Sequence, residues 1–191
     1  MFTKKEVSGS GGGGFFFIKN MKEHLKSNGY VVTNKLEDGI DLIFIIDPRR
    51  NKSNSPYTLS DYKEYKRKNP NVKILHRVNE CDIKREVPSN DEPLLVKTMQ
   101  FADHVVFISK WLRDYFINKY KLKLKSDVII NGCNRNYYYP SKDEKFKDNK
   151  IRLVTHHFSD NYFKGFQIYN ELDKYLENNN EDGIEFTFIG N

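Results

Sequence analysis

Cysteine is scarce in this chain: two in 191 residues, Cys81 and Cys133, far apart and each alone. No C-x-x-C pair or cysteine–histidine cluster has zinc-binding spacing, so a structural zinc site is not expected. Isolated thiols suit a reducing, cytoplasmic setting better than a disulfide-stapled secreted fold. Long hydrophobic runs are missing as well. The longest, 15–18 and 42–46, are far shorter than the ~20 residues that cross a bilayer as a helix. The first residues carry no apolar stretch of the signal-peptide kind. No zinc-finger, RRM or KH signature occurs, so nucleic acid is not an expected partner. No solenoid-type repeat is present.

What is present is aromatic and basic. There are 14 Phe and 12 Tyr, gathered in blocks that a disordered chain would not carry, although mean hydropathy is low at −0.75. Net charge is +6. An acidic partner fits that balance: nucleotide phosphate or an anionic lipid surface. A Lys-rich composition spread evenly through the chain accounts for it equally well.

Apolar runs alternate with helical patterns. Residues 1–5 form at best a short first strand, and 30–32 another. Leu42 to Ile46 is apolar at every position, as a strand buried on both faces must be. Further strands are expected at 72–78, 105–108 and 128–130. Between them, Phe17, Met21 and Leu25 recur at helical spacing, with Gly29 placed to end that helix. Leu59–Lys68 reads as a second helix. A third has Pro93 in its first turn. Ser109 caps a fourth carrying Leu112, Phe116 and Tyr120. Residues 141–150 (SKDEKFKDNK) read as a linker, after which the pattern restarts: strand 151–155, helix 166–176, strand 184–189. The expected fold is α/β: a Rossmann-like, doubly wound parallel sheet over 1–140, then the first βαβ unit of a second such domain over 151–191. A lone βαβ unit cannot bury both strand faces. Either it joins the first sheet or more of a second domain is needed.

In such sheets ligands sit beyond the carboxyl ends of the strands. The loops expected to carry function are those around Gly11–Gly14, Pro48, His76–Asp82, Ser109 and Asn131–Gly132, and four clusters supply candidate residues. Gly11, Gly12, Gly13 and Gly14 precede a helix, where bare backbone amides and the positive helix end suit an anion. The run differs from a P-loop, because Phe15 and Phe16 stand where Lys and Ser/Thr belong. A plain glycine linker is the other reading, and the helix signal that follows directly favours the functional one. His76, Arg77, Asn79 and Glu80 close a strand, with His76 as a sugar hydrogen-bonder and Arg77 as a phosphate partner. Asn131 and Gly132 form a turn after another strand. His157 and Ser159 follow the strand of the second unit, and Lys164 opens its helix, where a cation is unfavourable unless an anion sits nearby. Adjacent His156 and His157 point to opposite sides of a strand, which disfavours a metal pair. Lys119, Lys121, Lys123 and Lys125 alternate in KYKLKLK. Both a solvated edge and contact with an anionic membrane fit that run.

The segments GGGGFFF, ILHRVNECD, ADHVVFISKWLRDYF, VIINGCN, VTHHFSDNYFKGFQIYNELD and FTFIGN, in this order, resemble glycosyltransferase family 4-like enzymes. The resemblance runs over nearly the whole chain. It implies a GT-B architecture of two Rossmann-like domains about a cleft. It also implies sugar transfer from a nucleotide-sugar to a glycan, polysaccharide or lipid-linked acceptor, with retention of configuration and no metal cofactor. The Gly-rich loop, here Gly11 to Gly14, would line the cleft. His76 would contact the donor sugar. Ser109, Asn131 and Gly132 would lie at the cleft and the domain connection. Lys164 would bind the donor diphosphate. The arginine that often assists it is absent, its stretch reading His157-Phe158-Ser159. In the family the E-x7-E segment that holds the nucleotide ribose and donor sugar lies far downstream of the stretch matched by FTFIGN, so an incomplete donor site is expected. A catalytically incomplete Rossmann-like module that needs a partner is the alternative. A nicotinamide oxidoreductase lacks its G-x-G-x-x-G after a strong strand. A glycosidase lacks an arguable carboxylate pair.

Overall fold

The structure, a computed structural model, describes residues 1–3, 13–49, 55–84, 90–140, 148–157, 164–179 and 183–190. It is a mixed α/β molecule whose contacts divide it into two units. One comprises Met1–Cys81 with Asn90–Arg135, the other Asp82–Ser89 with Asn136–Asn191.

The first unit holds four parallel strands in the order β1 (Leu42–Ile45), β2 (Lys73–Val78), β3 (His104–Phe107), β4 (Ser126–Val128). Hydrogen bonds carry the sheet one step beyond β1. Phe44 donates to the Met1 carbonyl at 2.8 Å, Thr3 donates to the Phe44 carbonyl, and Phe2 bridges Phe44 in parallel. On its far side Phe2 donates to Thr33 at 2.9 Å. The order in space is therefore Thr33, residues 1–3, β1, β2, β3, β4. Thr33 joins by this single backbone bond, outside the four-stranded ladder of β1 to β4.

Alternation along the strands assigns the two faces. Ile43, Ile45, Ile74, Val78, Val105 and Phe107 share one face. It is covered by α2 (Leu59–Lys68) through Tyr62 and Tyr65, by α3 (Glu92–Phe101) through Leu95 and Met99, and by α4 (Lys110–Tyr120) through Leu112 and Phe116. Phe44, Ile46 and Leu75 share the other, under Phe17, Ile18, Met21 and Leu25 of α1 (Gly13–Ser27). The parallel sheet is thus flanked by helices on both faces, an arrangement compatible with a Rossmann-like fold.

The helix ends follow local chemistry. Gly29 takes φ 83°, and the Tyr30 and Gly29 amides return to the Leu25 and Lys26 carbonyls, the paired bonds of a Schellman ending. Thr58 and Asp61 cap α2 reciprocally. Pro93 lies in the first turn of α3, and the Ser109 hydroxyl accepts from the Leu112 amide to cap α4.

Two expected strands differ. Residues 30–32 form no ladder. The segment contributes one backbone bond to Phe2, at Thr33, and Val31 is 95% exposed. The expected strand at 128–130 is instead Ser126–Val128, because the pairs Val105–Ser126 and Phe107–Val128 set its register. Ile129 and Ile130 lie beyond it, exposed at the sheet's edge.

In the second unit, β5 (Ile151–His157) and β6 (Ile184–Gly190) pair in parallel over seven residues each, joined through α5 (Phe166–Asn179). Phe166 and Tyr169 of α5 pack on Phe186 and Phe188 with ring centroids 5.9–6.2 Å apart. This β–α–β unit forms its own two-stranded sheet and does not join the first. Of the linker segment, 141–147 lies outside the described residues.

Candidate functional site

The carboxyl ends of residues 1–3 and β1 to β4 gather Asp47, Arg49, Glu80, Asp91, Ser109 and Asn131 on one end of the first unit. The amino end of α1 lies there too. Arg49, just past β1, is the hub. Its guanidinium makes two bonds to Asp47, at 2.8 and 2.9 Å, one to Asp91 at 3.0 Å, and one to Glu80. Those carboxylates keep Arg49 protonated well above its ordinary range, the Asp47 hydrogen bond contributing most. One cation therefore ties the tips of β1 and β2 to the start of α3. The sequence marks the loop around Pro48, directly after the most apolar strand, but does not single out Arg49 within it.

Arg77 is different. It lies on the α1 face of the sheet, 4% exposed, with its guanidinium 3.9 Å from the Phe17 ring centroid. Its Nη2 donates to the Asn131 side-chain oxygen at 3.0 Å. Its Nη1 is buried with no hydrogen-bond partner among the described residues. Burial lowers its pKa, and no carboxylate among the described residues offsets that. A buried cation without a counter-ion is costly to keep. Arg77 and Asn131, both expected at the site, are thus in direct contact. Asn134 reinforces the arrangement through a bond to Asn20 of α1 at 3.1 Å.

His76 does not stand where expected. It lies inside β2 rather than at its tip. As the strand neighbour of Arg77 it points the opposite way, in register with Ile45 and Val105 on the face under α2 to α4. It is fully buried, and neither ring nitrogen has a hydrogen-bond partner among the described residues. Burial holds its pKa down to about 3, with the Asp47 carboxylate opposing only weakly, so the ring is neutral. The structure therefore brings Arg77, not His76, to the α1 side of the sheet.

Of the glycine run, Gly11 and Gly12 lie outside the described residues. Gly13 and Gly14 are the first residues of α1, and a Cβ on either would meet nothing within 4 Å. No neighbour within the protein forces glycine there. Ser109 spends its hydroxyl on the α4 cap. Glu80 is engaged by Arg49, and Asn79 and Glu80 are partly exposed at the tip of β2. Gly132 is exposed beside Asn131.

In the second unit, Lys164 is exposed directly before Gly165, whose carbonyl accepts the first bond of α5 from Tyr169. Gly165 has φ 91°, and a Cβ there would press on the Tyr169 ring at 3.2 Å. His157 pairs with Gly190 through the β5–β6 ladder, and its side chain lies outside the described part of the structure, as does Ser159. Among the described residues no group of three His, Cys, Asp or Glu is placed to hold a metal ion, and no helix is long and apolar enough to cross a membrane. The two cysteines are not joined in a disulfide, Cys81 being buried and Cys133 exposed. Set against known proteins, the chain matches no protein-family model and no curated protein sequence.

The arrangement can hold an anion in the first unit. α1 presents its amino end, with Gly13 and Gly14 in its first turn, and a buried guanidinium, one of whose nitrogens has no partner among the described residues, stacks on its second turn.

Proposed function

We propose that the chain serves a GT-B glycosyltransferase that moves a sugar, with retention of configuration, from a nucleotide-sugar to a glycan, polysaccharide or lipid-linked acceptor. In this reading the first unit is the acceptor-side Rossmann-like domain. The β5–α5–β6 unit belongs to the domain that binds the nucleotide-sugar.

The observation that carries the reading is Arg77, a buried guanidinium with an unpartnered nitrogen, stacked on Phe17 near the amino end of α1. A diphosphate leaving group gains negative charge as the sugar C1–O bond breaks. A fixed guanidinium and the amino end of a helix stabilise that charge without reorganising. In the second unit, Lys164 at the start of α5 is that unit's own candidate for a phosphate partner. Asn131 holds Arg77 in place, and the tips tied by Arg49 would orient the acceptor hydroxyl and exclude water.

The test is calorimetric titration of UDP, UDP-glucose and GDP-mannose into the chain, its Arg77→Met variant and its Lys164→Ala variant. Each variant is expected to bind the preferred ligand at least tenfold more weakly. Unchanged affinity in both removes the reading. Circular dichroism and urea unfolding of both variants check that the fold is kept, because Arg77→Met also removes the bond to Asn131 and the stacking on Phe17.

A second reading is a catalytically incomplete Rossmann-like binding module that needs a partner. One observation favours it: no described residue of β5, α5 or β6 is buried. Ligand binding with neither sugar transfer nor donor hydrolysis favours the module, and turnover favours the enzyme.

A further inference from the structure

A cavity of about 620 Å³ opens at the other end of the first unit. Its walls include Leu42, the first residue of β1, and Leu25 and Gly29 at the carboxyl end of α1. It therefore lies at the amino ends of the strands, away from Arg49 and Arg77. Its size is that of a binding pocket rather than a packing defect.

The lining is apolar within and acidic at the rim. Phe2 and Phe44 are buried in it, while Tyr30 is 64% and Val31 95% exposed along its open side. Exposed apolar side chains grouped in this way mark an interaction surface. The rim carries Glu37, Asp38 and Asp41, all exposed. No lysine or arginine is among the described lining residues. The one positive group is the Met1 ammonium, which donates to the Leu42 carbonyl at 2.7 Å and is made less basic by burial, with Asp41 opposing. Three carboxylates against one ammonium form a local excess of negative charge in a protein of net +6. The extended segment around Val31 flanks the sheet edge where Thr33 accepts from Phe2. An edge of that kind suits an extended chain, which offers side chains alternately to the groove and to its rim.

We propose that this groove docks an extended protein segment in which apolar residues alternate with lysine or arginine. The apolar side chains would fill the space between Phe2, Tyr30, Val31 and Phe44, and the cations would face Glu37, Asp38 and Asp41. This site is independent of the glycosyltransferase reading, because none of its residues is shared with it.

Fluorescence anisotropy with three labelled nonapeptides tests the proposal: alternating Leu/Lys, alternating Ser/Lys and alternating Leu/Glu. The Leu/Lys peptide is expected to bind saturably and at least tenfold more tightly than either control. Both a Tyr30→Ser/Val31→Ser variant and a Glu37→Gln/Asp38→Asn/Asp41→Asn variant should weaken it at least tenfold. All five positions are exposed, and circular dichroism checks that the fold is kept. Amide shifts on titrating the unaltered chain should concentrate between Gly29 and Leu42, which locates the site without any variant. Absence of binding, equal binding of either control, full affinity in either variant, or shifts centred elsewhere overturns the proposal. Self-association in sedimentation that Tyr30→Ser/Val31→Ser abolishes also overturns it, because the occupant is then a second copy of the chain.

Discussion

His76 and Arg77 are chain neighbours in opposite surroundings, because consecutive strand residues face opposite sides of the sheet. His76 is the more easily tested by pH. Its folded pKa is depressed from 6.5 to about 3 by burial. Between those values the unfolded chain binds a proton that the folded chain refuses. Stability from this residue is therefore complete above pH 6.5 and is lost as pH falls through the window, at up to about 1.4 kcal/mol per pH unit. His76→Leu should flatten that slope in urea unfolding measured from pH 7 to 4. An unchanged slope would place its origin in other groups. At Gly13 the fold makes no demand on the side chain. Gly13→Ala should leave stability unchanged or raise it by up to about 1 kcal/mol. If amides there approach an anion, it should weaken nucleotide binding by at least threefold in the calorimetric titration. Retained affinity would mean that no ligand comes close to Gly13.

At the scale of elements, α3 and α4 are fastened by one buried carboxylate. Glu92, 2% exposed in the first turn of α3, accepts from the Tyr115 hydroxyl at 2.8 Å, from Lys119 at 2.7 Å and from the Tyr120 hydroxyl. Glu92→Ala strands these donors and should cost about 2–3 kcal/mol in urea unfolding, with Glu92→Gln costing less. A loss below ~0.5 kcal/mol would mean that water replaces the carboxylate freely. The same cluster reinterprets the KYKLKLK run. Lys119 folds onto Glu92 and stacks over Tyr115 and Tyr120, whereas Lys121, Lys123 and Lys125 stay exposed ahead of β4, at the sheet's edge. The helices were legible in the sequence because their signals are local: Gly29 ends α1, Pro93 starts α3 and Ser109 caps α4. The strand at 128–130 was misplaced because its register depends on β3, which no local pattern reveals. The pairing of Arg77 with Asn131, 54 residues apart, was visible only as two separate candidates. The Arg49 hub was overlooked because two of its acids, Glu80 and Asp91, lie 31 and 42 residues away on the connection between β2 and α3. His76 was read by its proximity to a strand end, and strand parity decided otherwise.

At the scale of the whole molecule, the two units differ in how much they bury. β1, β2 and β3 are largely enclosed, whereas β5 and β6 have no buried residue among those described. Amide exchange should follow that difference. Deuterium uptake is expected to be complete in β5 and β6 at times when the amides of Ile43 to Ile45 and Val105 to Phe107 remain protected. Equal protection would mean that something further covers β5 and β6.

The first ladder imposes its own timetable on assembly. Phe2 rests between Thr33 and Phe44, so its two neighbours arrive some thirty and forty positions later along the polymer. Local coiling of α1 can proceed at once, but the middle of the sheet stays open until Phe44 is in hand. Closing a span of that length is slower than forming a hairpin. The carboxyl end of β1, with Asp47 and Arg49 just past it, is thereby finished late, when β1 slots in beside a segment that has waited for it.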